Sequence, residues 1–161
     1  MSNMIRVGMA DYKICRPPQK ISTLGLGSCL GVVLYDRRSK ICGLAHVMMP
    51  SSQLIRKNAN RMKFVDTCLE DMLKELMKHG SSKANMIAKM AGGAQMFVNQ
   101  NTHNMLNIGQ QNIQAVHDLL SEWKIPLVAE DVGNNYGRTI EFDPATGELM
   151  IRSIGVGDTV I

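Results

Sequence analysis

The amino-acid sequence predicts an α+β domain with a strand-rich, sandwich-like β core and two or three helices packed outside it. Three observations lead to this prediction. Several short segments rich in Val, Ile, Leu and Thr end at glycines or turn residues, which is typical of strands. Two other segments have apolar residues at helical spacing. The chain has 161 residues and is 45% hydrophobic, which suits a single domain over 1–161 with a substantial core.

The first half of the chain is predicted to be mainly β-structure. Residues 4–10 and 22–35 are β-like, and the Asp-Arg-Arg-Ser run at 36–39 is a turn signal. The next predicted strand covers 40–49 and ends at Pro50. We therefore expect a hairpin between the strands on either side of the turn.

A predicted amphipathic helix follows at residues 59–79. Its apolar side chains recur every three or four residues, at Val65, Cys68, Leu69, Met72, Leu73 and Leu76. Gly80 is a suitable residue to end this helix.

The second half of the chain returns to strands around a second helix. Residues 85–94 form a predicted strand that ends in a double glycine, and the polar segment 98–112 is predicted to be a surface loop. The helix after it buries Ile113, Val116, Leu120 and Trp123. Three short strands complete the prediction, at 125–131, 138–143 and 148–153.

Composition excludes several classes of function. The formal net charge is +4 and the basic residues are scattered without interleaved aromatic residues, so no nucleic-acid partner is expected. No apolar run approaches the ~20 residues that span a bilayer, and the N-terminus lacks the apolar region of a signal peptide. We therefore expect a cytoplasmic protein without membrane insertion.

The cysteines and histidines do not form a metal-binding pattern. The four cysteines show no C-x-x-C spacing, and the four histidines are dispersed, so neither set predicts a zinc site. In the cytoplasm these cysteines should be thiols. Cys15, Cys42 and Cys68 are interpreted as packing residues.

The glycine-rich segment 23–31 (TLGLGSCLG) carries the functional signal. A dinucleotide fingerprint needs glycine where Leu30 stands, and a phosphate-binding loop needs a Gly-Lys-Ser/Thr run that is absent. The remaining interpretation is a sharp bend that presents Cys29 between Gly27 and Gly31. The backbone N–H groups around Gly27 and Ser28 could hold an oxyanion.

The predicted hairpin gives this cysteine a partner. If the two strands pair symmetrically about Arg37 and Arg38, Cys29 lies directly opposite His46, with Cβ atoms about 4.5–5.5 Å apart. A free thiol has a pKa of about 8.5, and a nearby imidazole raises the fraction of reactive thiolate. The hydroxyl of Thr23 could accept the ring N–H and orient the imidazole. From pattern alone, the alternative that Cys29 and His46 are ordinary core residues stays open.

At these residues the sequence resembles the chemoreceptor glutamine deamidase family, CheD. The resemblance rests on TLGLGSCLG (23–31), GLAHVMMPSS (43–52), KMAGGAQMF (89–97), IGQQN (108–112), EDVGNNYGRTIEFD (130–143) and TG (146–147), in family order. The chain departs from the family at Gln111, where arginine is usual, and at Asn134, where glycine is usual.

The resemblance implies a function and a fold. Cys29 matches the family's catalytic cysteine, His46 its histidine and Thr23 its threonine. The implied substrates are glutamine side chains of methyl-accepting chemotaxis receptors, which become glutamate with release of ammonia and with no cofactor. The implied partner is the CheC phosphatase of phosphorylated CheY. The implied fold is similar to that of cytotoxic necrotizing factor toxins.

Two rival interpretations remain beside the deamidase. One is a regulatory binding module that docks on and stimulates a CheC-type phosphatase. The other is a cysteine peptidase or acyltransferase that uses the same Cys29 and His46. The oligomeric state and the receptor glutamines that are modified do not follow from the sequence.

Overall fold

The computed structural model describes residues 3–54, 60–96 and 107–161. In these stretches the chain forms ten strands and two α-helices. The strands are β1 (Met4–Val7), β2 (Asp11–Cys15), β3 (Lys20–Leu26), β4 (Leu30–Asp36), β5 (Cys42–Val47), β6 (Met86–Gly92), β7 (Leu127–Val132), β8 (Arg138–Asp143), β9 (Glu148–Ser153) and β10 (Gly157–Val160). The helices are α1 (Val65–Lys78) and α2 (Ile108–Trp123), with short 3-10 turns at Ser52–Leu54, Arg61–Lys63 and Lys83–Asn85. Within the described stretches, no helix is long and apolar enough to cross a membrane.

The described strands belong to two five-stranded sheets. The first sheet has the order β1-β3-β8-β9-β10, and the second has the order β2-β5-β4-β6-β7. Both sheets are mixed, because β1 runs parallel to β3 and β6 runs parallel to β7. The predicted strand-rich α+β architecture is confirmed.

The second sheet is the middle of three layers, and β4 shows why. Every residue of β4 is buried, as expected for a strand covered on both faces. Val33 and Tyr35 belong to the apolar core between the two sheets, where Tyr35 packs edge-to-face on Phe142. Val32 and Leu34 belong to the core beneath α1 and α2. The continuous apolar sequence of β4 therefore serves two cores.

Both helices bury the faces that the sequence predicts, but their starts differ. All six apolar positions predicted for α1 are buried, although the helix begins at Val65 rather than at 59. Helix α2 buries Ile113, Val116 and Leu120, while Trp123 is partly buried.

The prediction of a loop over 98–112 is wrong at its C-terminal end. Helix α2 already begins at Ile108, with the side chain of Asn107 accepting a hydrogen bond from the Gln110 N–H as its N-cap. The other part of the predicted loop, 98–106, lies outside the described residues.

Two strands were not predicted, and the β-like segment 22–35 forms two strands, one on each side of the predicted bend. Strands β2 and β10 are new, and 22–35 forms β3 in one sheet and β4 in the other. The backbone of Gly25 has a φ of 71°, and the β3–β8 register shifts between Thr23 and Leu26. This irregularity is a bulge near the end of β3, just before the chain crosses to the second sheet.

Candidate active site

The segment Gly27-Ser28-Cys29 is where the chain crosses between the sheets. It leaves β3 in the first sheet and enters β4 in the second. Cys29 contributes to the apolar core that lies between the sheets and is 8% exposed. The predicted bend is therefore present, and its cysteine faces the seam between the two sheets.

Backbone hydrogen bonds hold this segment against the end of β6. The Ala94 N–H donates to the Gly27 carbonyl at 2.8 Å, and the Gly93 N–H donates to the Cys29 carbonyl at 2.9 Å. Gly92 permits this close approach, because a Cβ on its backbone would lie 2.3 Å from the Cys29 carbonyl oxygen. The first glycine of the pair is thus explained by contact with the cysteine segment, whereas a Cβ at Gly93 would lie 2.7 Å from Cγ1 of Ile113 in α2.

The Ser28 carbonyl is held by a side chain. Nδ2 of Asn112 donates to the Ser28 carbonyl at 3.0 Å and to the Met48 carbonyl at 3.1 Å. Asn112 is fully buried in α2. The sequence missed this residue because it assigned 98–112 to a loop. A signal was available in the sequence, because Asn112 lies four residues before Val116 and so falls on the predicted buried face of the helix.

These restraints orient two backbone donors. In a trans peptide the N–H points away from the preceding carbonyl. The Ser28 N–H therefore points away from the group that binds the Gly27 carbonyl, and the Cys29 N–H points away from the group that binds the Ser28 carbonyl. In the part of the chain that the structure describes, neither N–H donates to a backbone carbonyl, and the Cys29 N–H donates to its own thiol sulfur.

The predicted hairpin register is wrong by two residues. His46 pairs with Gly31 rather than with Cys29, and Leu30 pairs with Val47. Cys29 is therefore a diagonal neighbour of His46 instead of a direct one. Because the error is an even number of residues, both side chains remain on the same face of the sheet.

Gly31, the residue paired with His46, packs directly against the first sheet. A Cβ at Gly31 would lie 2.5 Å from Cδ1 of Ile140 in the first sheet and 3.2 Å from Cδ1 of Leu26. The absence of a side chain at the position opposite His46 therefore lets the two sheets approach closely beside the imidazole.

Thr23 and His46 meet across the gap between the sheets. The Thr23 hydroxyl oxygen lies 2.7 Å from Nδ1 of His46 and 2.8 Å from the carbonyl oxygen of Val7. The Val7 carbonyl can only accept, so the hydroxyl proton must go to it if both contacts are hydrogen bonds. The hydroxyl oxygen then accepts a proton from Nδ1, and the imidazole lone pair is on Nε2.

Nε2 of His46 is buried and has no hydrogen-bond partner among the described residues. Orphaned buried polar atoms are uncommon in folded proteins and often have a chemical role. The Cys29 sulfur lies on the same side of the sheet but does not form a hydrogen bond with Nε2. In the absence of substrate, such catalytic contacts are often long.

Burial changes the electrostatics that the sequence suggested. His46 is fully buried and Cys29 nearly so. Burial raises the pKa of the Cys29 thiol, and the Cys29 N–H partly offsets this. Burial also lowers the pKa of His46. Both groups are therefore neutral at pH 7, and the expected gain in resting thiolate is absent.

The sequence matches a known family and curated relatives. The sequence model described as CheD chemotactic sensory transduction matches residues 48–153. A protein of Lachnoclostridium phytofermentans, named probable chemoreceptor glutamine deamidase CheD, is 48% identical over 155 residues, covering 96% of each chain. A protein of Halalkalibacterium halodurans, named chemoreceptor glutamine deamidase CheD, is 48% identical over 162 residues and covers 100% of each chain.

One solved structure is also similar in part. It is the hypothetical protein YfiH of Bacillus licheniformis, with a TM-score of 0.46 and 16% identity, covering 75% of this chain and 49% of that chain. The family match covers well over half of this chain, and the two relatives extend over nearly all of it. This chain therefore belongs to the CheD family.

Proposed function

We propose that this chain is a chemoreceptor glutamine deamidase in which Cys29 is the nucleophile and His46 is the proton carrier. The observation that carries the proposal is the environment of the His46 ring: Nδ1 lies 2.7 Å from the Thr23 hydroxyl oxygen, and Nε2 has no hydrogen-bond partner among the described residues. The names of the two relatives support receptor glutamines as substrates. A cytoplasmic location is part of the proposal, because the cytoplasm keeps thiols such as that of Cys29 reduced.

The first chemical step forms a thioester. As Sγ of Cys29 attacks the carboxamide carbon, the thiol proton passes to Nε2 of His46. The carbonyl oxygen becomes an oxyanion, which the backbone N–H groups of Ser28 and Cys29 stabilise. Gly27 contributes the flexible bend that precedes these donors. When the intermediate collapses, His46 returns the proton to the leaving nitrogen, and ammonia departs.

The second step restores the thiol. A water molecule loses a proton to Nε2 of His46 and attacks the thioester carbon, and the proton then returns to the Cys29 sulfur. The product is a glutamate side chain. The buried, neutral pair suits this sequence, because His46 must accept a proton at the moment of attack rather than hold one beforehand.

A matched pair of cysteine variants tests this proposal. We expect purified protein to release ammonia from a receptor fragment and to convert specific glutamines to glutamate, as read by peptide mass spectrometry. Cys29→Ala should abolish both signals. Cys68→Ala makes the same change at a fully buried cysteine in α1 and should keep the activity.

Either of two results would overturn the assignment. Ammonia release that persists in Cys29→Ala would exclude this cysteine as the nucleophile. Cleavage of the receptor backbone instead of side-chain deamidation would favour a cysteine peptidase with the same residues.

We also propose a CheC-type phosphatase as a second partner, which the family resemblance implies. Met96 is 44% exposed, and its side chain lies against Gly27 beside the cysteine segment. A partner that covers this side chain would compete with the receptor for access to the cysteine segment. Binding of a purified phosphatase should therefore weaken in Met96→Lys, and saturating phosphatase should slow receptor deamidation.

A further inference from the structure

The buried amide of Asn112 occupies the point where the β4–β5 ladder ends. The last paired residues are Leu30 and Val47, and the next pair in this register would be Cys29 and Met48. Here the amide of Asn112 donates to a carbonyl on each segment, at Ser28 and at Met48. One side chain therefore connects the segment that carries the cysteine to the segment that follows His46.

The orientation of this amide is fixed by chemistry. Both contacting atoms are carbonyl oxygens, which only accept, so the NH₂ group and not the oxygen of Asn112 must face them. Oδ1 is buried and has no partner among the described residues. An aspartate at this position would place a carboxylate oxygen, which only accepts, against the carbonyl oxygens of Ser28 and Met48. It has nearly the shape of asparagine but lacks the NH₂ donors, so it would fail to hold the segment.

Helix α2 is itself held firmly against the site. A Cβ on Gly109 would lie 2.5 Å from the Gly93 carbonyl oxygen and 2.6 Å from that of Ala94. Residues 93 and 94 are the ones whose N–H groups hold Cys29 and Gly27. Asn112 is therefore presented from a helix that packs directly on the other restraints of the cysteine segment.

We propose that Asn112 is a positioning residue that orients the Ser28–Cys29 peptide so that the Cys29 N–H faces the developing oxyanion. This inference rests on the proposed function, because it takes Cys29 as the nucleophile. Its physical basis is that a trans peptide is rigid, so a fixed Ser28 carbonyl fixes the direction of the Cys29 N–H. Among the carbonyls of the Gly27–Ser28–Cys29 segment, Ser28 is the one held by a side chain, and its restraint can be removed by mutation.

Two reactions of Cys29 with small reagents separate this role from a general structural role. Acylation by p-nitrophenyl acetate passes through a tetrahedral oxyanion before p-nitrophenolate leaves. Alkylation by iodoacetamide displaces iodide and forms no oxyanion. Both rates are measured on the full chain, with the Cys29→Ala variant as the blank for other thiols. Neither reaction needs the receptor.

We expect Asn112→Ala to slow acylation about ten-fold or more and alkylation by less than about three-fold, because only acylation uses the oxyanion donor. Val116→Ala is the matched control, since it removes a fully buried side chain one turn later in the same helix. It should leave the ratio of the two rates unchanged. Asn112→Asp should reproduce the loss with little change of volume, and it replaces Asn112→Ala if that variant fails to fold.

The inference would be overturned if Asn112→Ala slowed acylation and alkylation by the same factor. It would also be overturned if Val116→Ala changed the ratio of the two rates as much as Asn112→Ala does. These outcomes differ from failure of the proposed function. A wild-type protein that acylates at Cys29 but releases no ammonia from receptor would contradict the deamidase and leave the role of Asn112 standing.

Discussion

The hydroxyl of Thr23 is the most informative group to remove, because it fixes which nitrogen of His46 carries the proton. Thr23→Val keeps the size and the β-branch of the side chain and deletes only the hydroxyl. The change leaves the Nδ1–H of His46 and the carbonyl of Val7 without their present partner at 2.7 and 2.8 Å. Thr23 is 1% exposed and His46 is 0% exposed, so water has little access to replace it.

The size of the effect follows from the cost of an unsatisfied buried donor. That cost is about 1–3 kcal/mol. If this cost destabilises the ring orientation in which Nε2 faces the substrate, and with it the transition state, kcat/KM falls by about 5- to 150-fold. The free energy of unfolding should decrease by a similar amount, about 1–3 kcal/mol, because the same two groups are orphaned in the folded state.

Receptor deamidation and ¹⁵N NMR of the histidine ring together measure this effect. In the wild type, the ring should show a protonated Nδ1 and an unprotonated Nε2 at neutral pH, and in Thr23→Val the proton should redistribute toward Nε2. Thr23→Ser is the control, since it keeps the hydroxyl and loses only a methyl group. Wild-type kcat/KM in Thr23→Val, or an equal loss in Thr23→Ser, would refute the role of the hydroxyl.

Two further predictions concern the space and the protons around the pair. Gly31→Ala should destabilise the fold by about 1–3 kcal/mol and lower the rate of deamidation, because its Cβ would lie 2.5 Å from Cδ1 of buried Ile140. Gly8→Ala is the control, since no atom lies within 4 Å of the new Cβ, and it should change neither the thermal unfolding temperature nor the rate. Because burial lowers the pKa of His46 and raises that of Cys29, kcat/KM should rise with pH through a midpoint below the ordinary histidine value and then stay level through neutral pH. Alkylation of Cys29 should titrate above the ordinary thiol range, and a thiol that titrates below it would indicate a preformed thiolate–imidazolium pair instead.

The hairpin shows how far periodicity can specify a site. Two apolar segments on either side of a turn signal are enough to predict two adjacent strands, and symmetric pairing about the turn puts Cys29 and His46 on one face. The register depends on the turn, where the Asp36 carboxylate accepts from the Arg38 and Ser39 N–H groups and Lys40 has a φ of 64°. A left-handed lysine has no sequence signature comparable to that of glycine, so the two-residue shift was not predictable.

Helix α1 and strand β10 mark the limits of pattern reasoning. Six regularly spaced apolar residues were sufficient for α1, because one face of that helix packs on one core. The four residues of β10 are all exposed at a sheet edge, so burial leaves no pattern in their sequence. The contact between Asn112 and Ser28 joins residues 84 positions apart, and only the fold brings them together.

The central claim is that the sulfur of Cys29 attacks a receptor glutamine and forms a thioester. The most direct measurement is acid quenching of the reaction during turnover, followed by mass spectrometry of the intact protein and of its peptides. We predict an adduct with the mass of the receptor peptide less ammonia, located on the peptide that contains Cys29 and absent in Cys29→Ala. An adduct located on another residue, or glutamate formation that continues unchanged in Cys29→Ala, would contradict the mechanism.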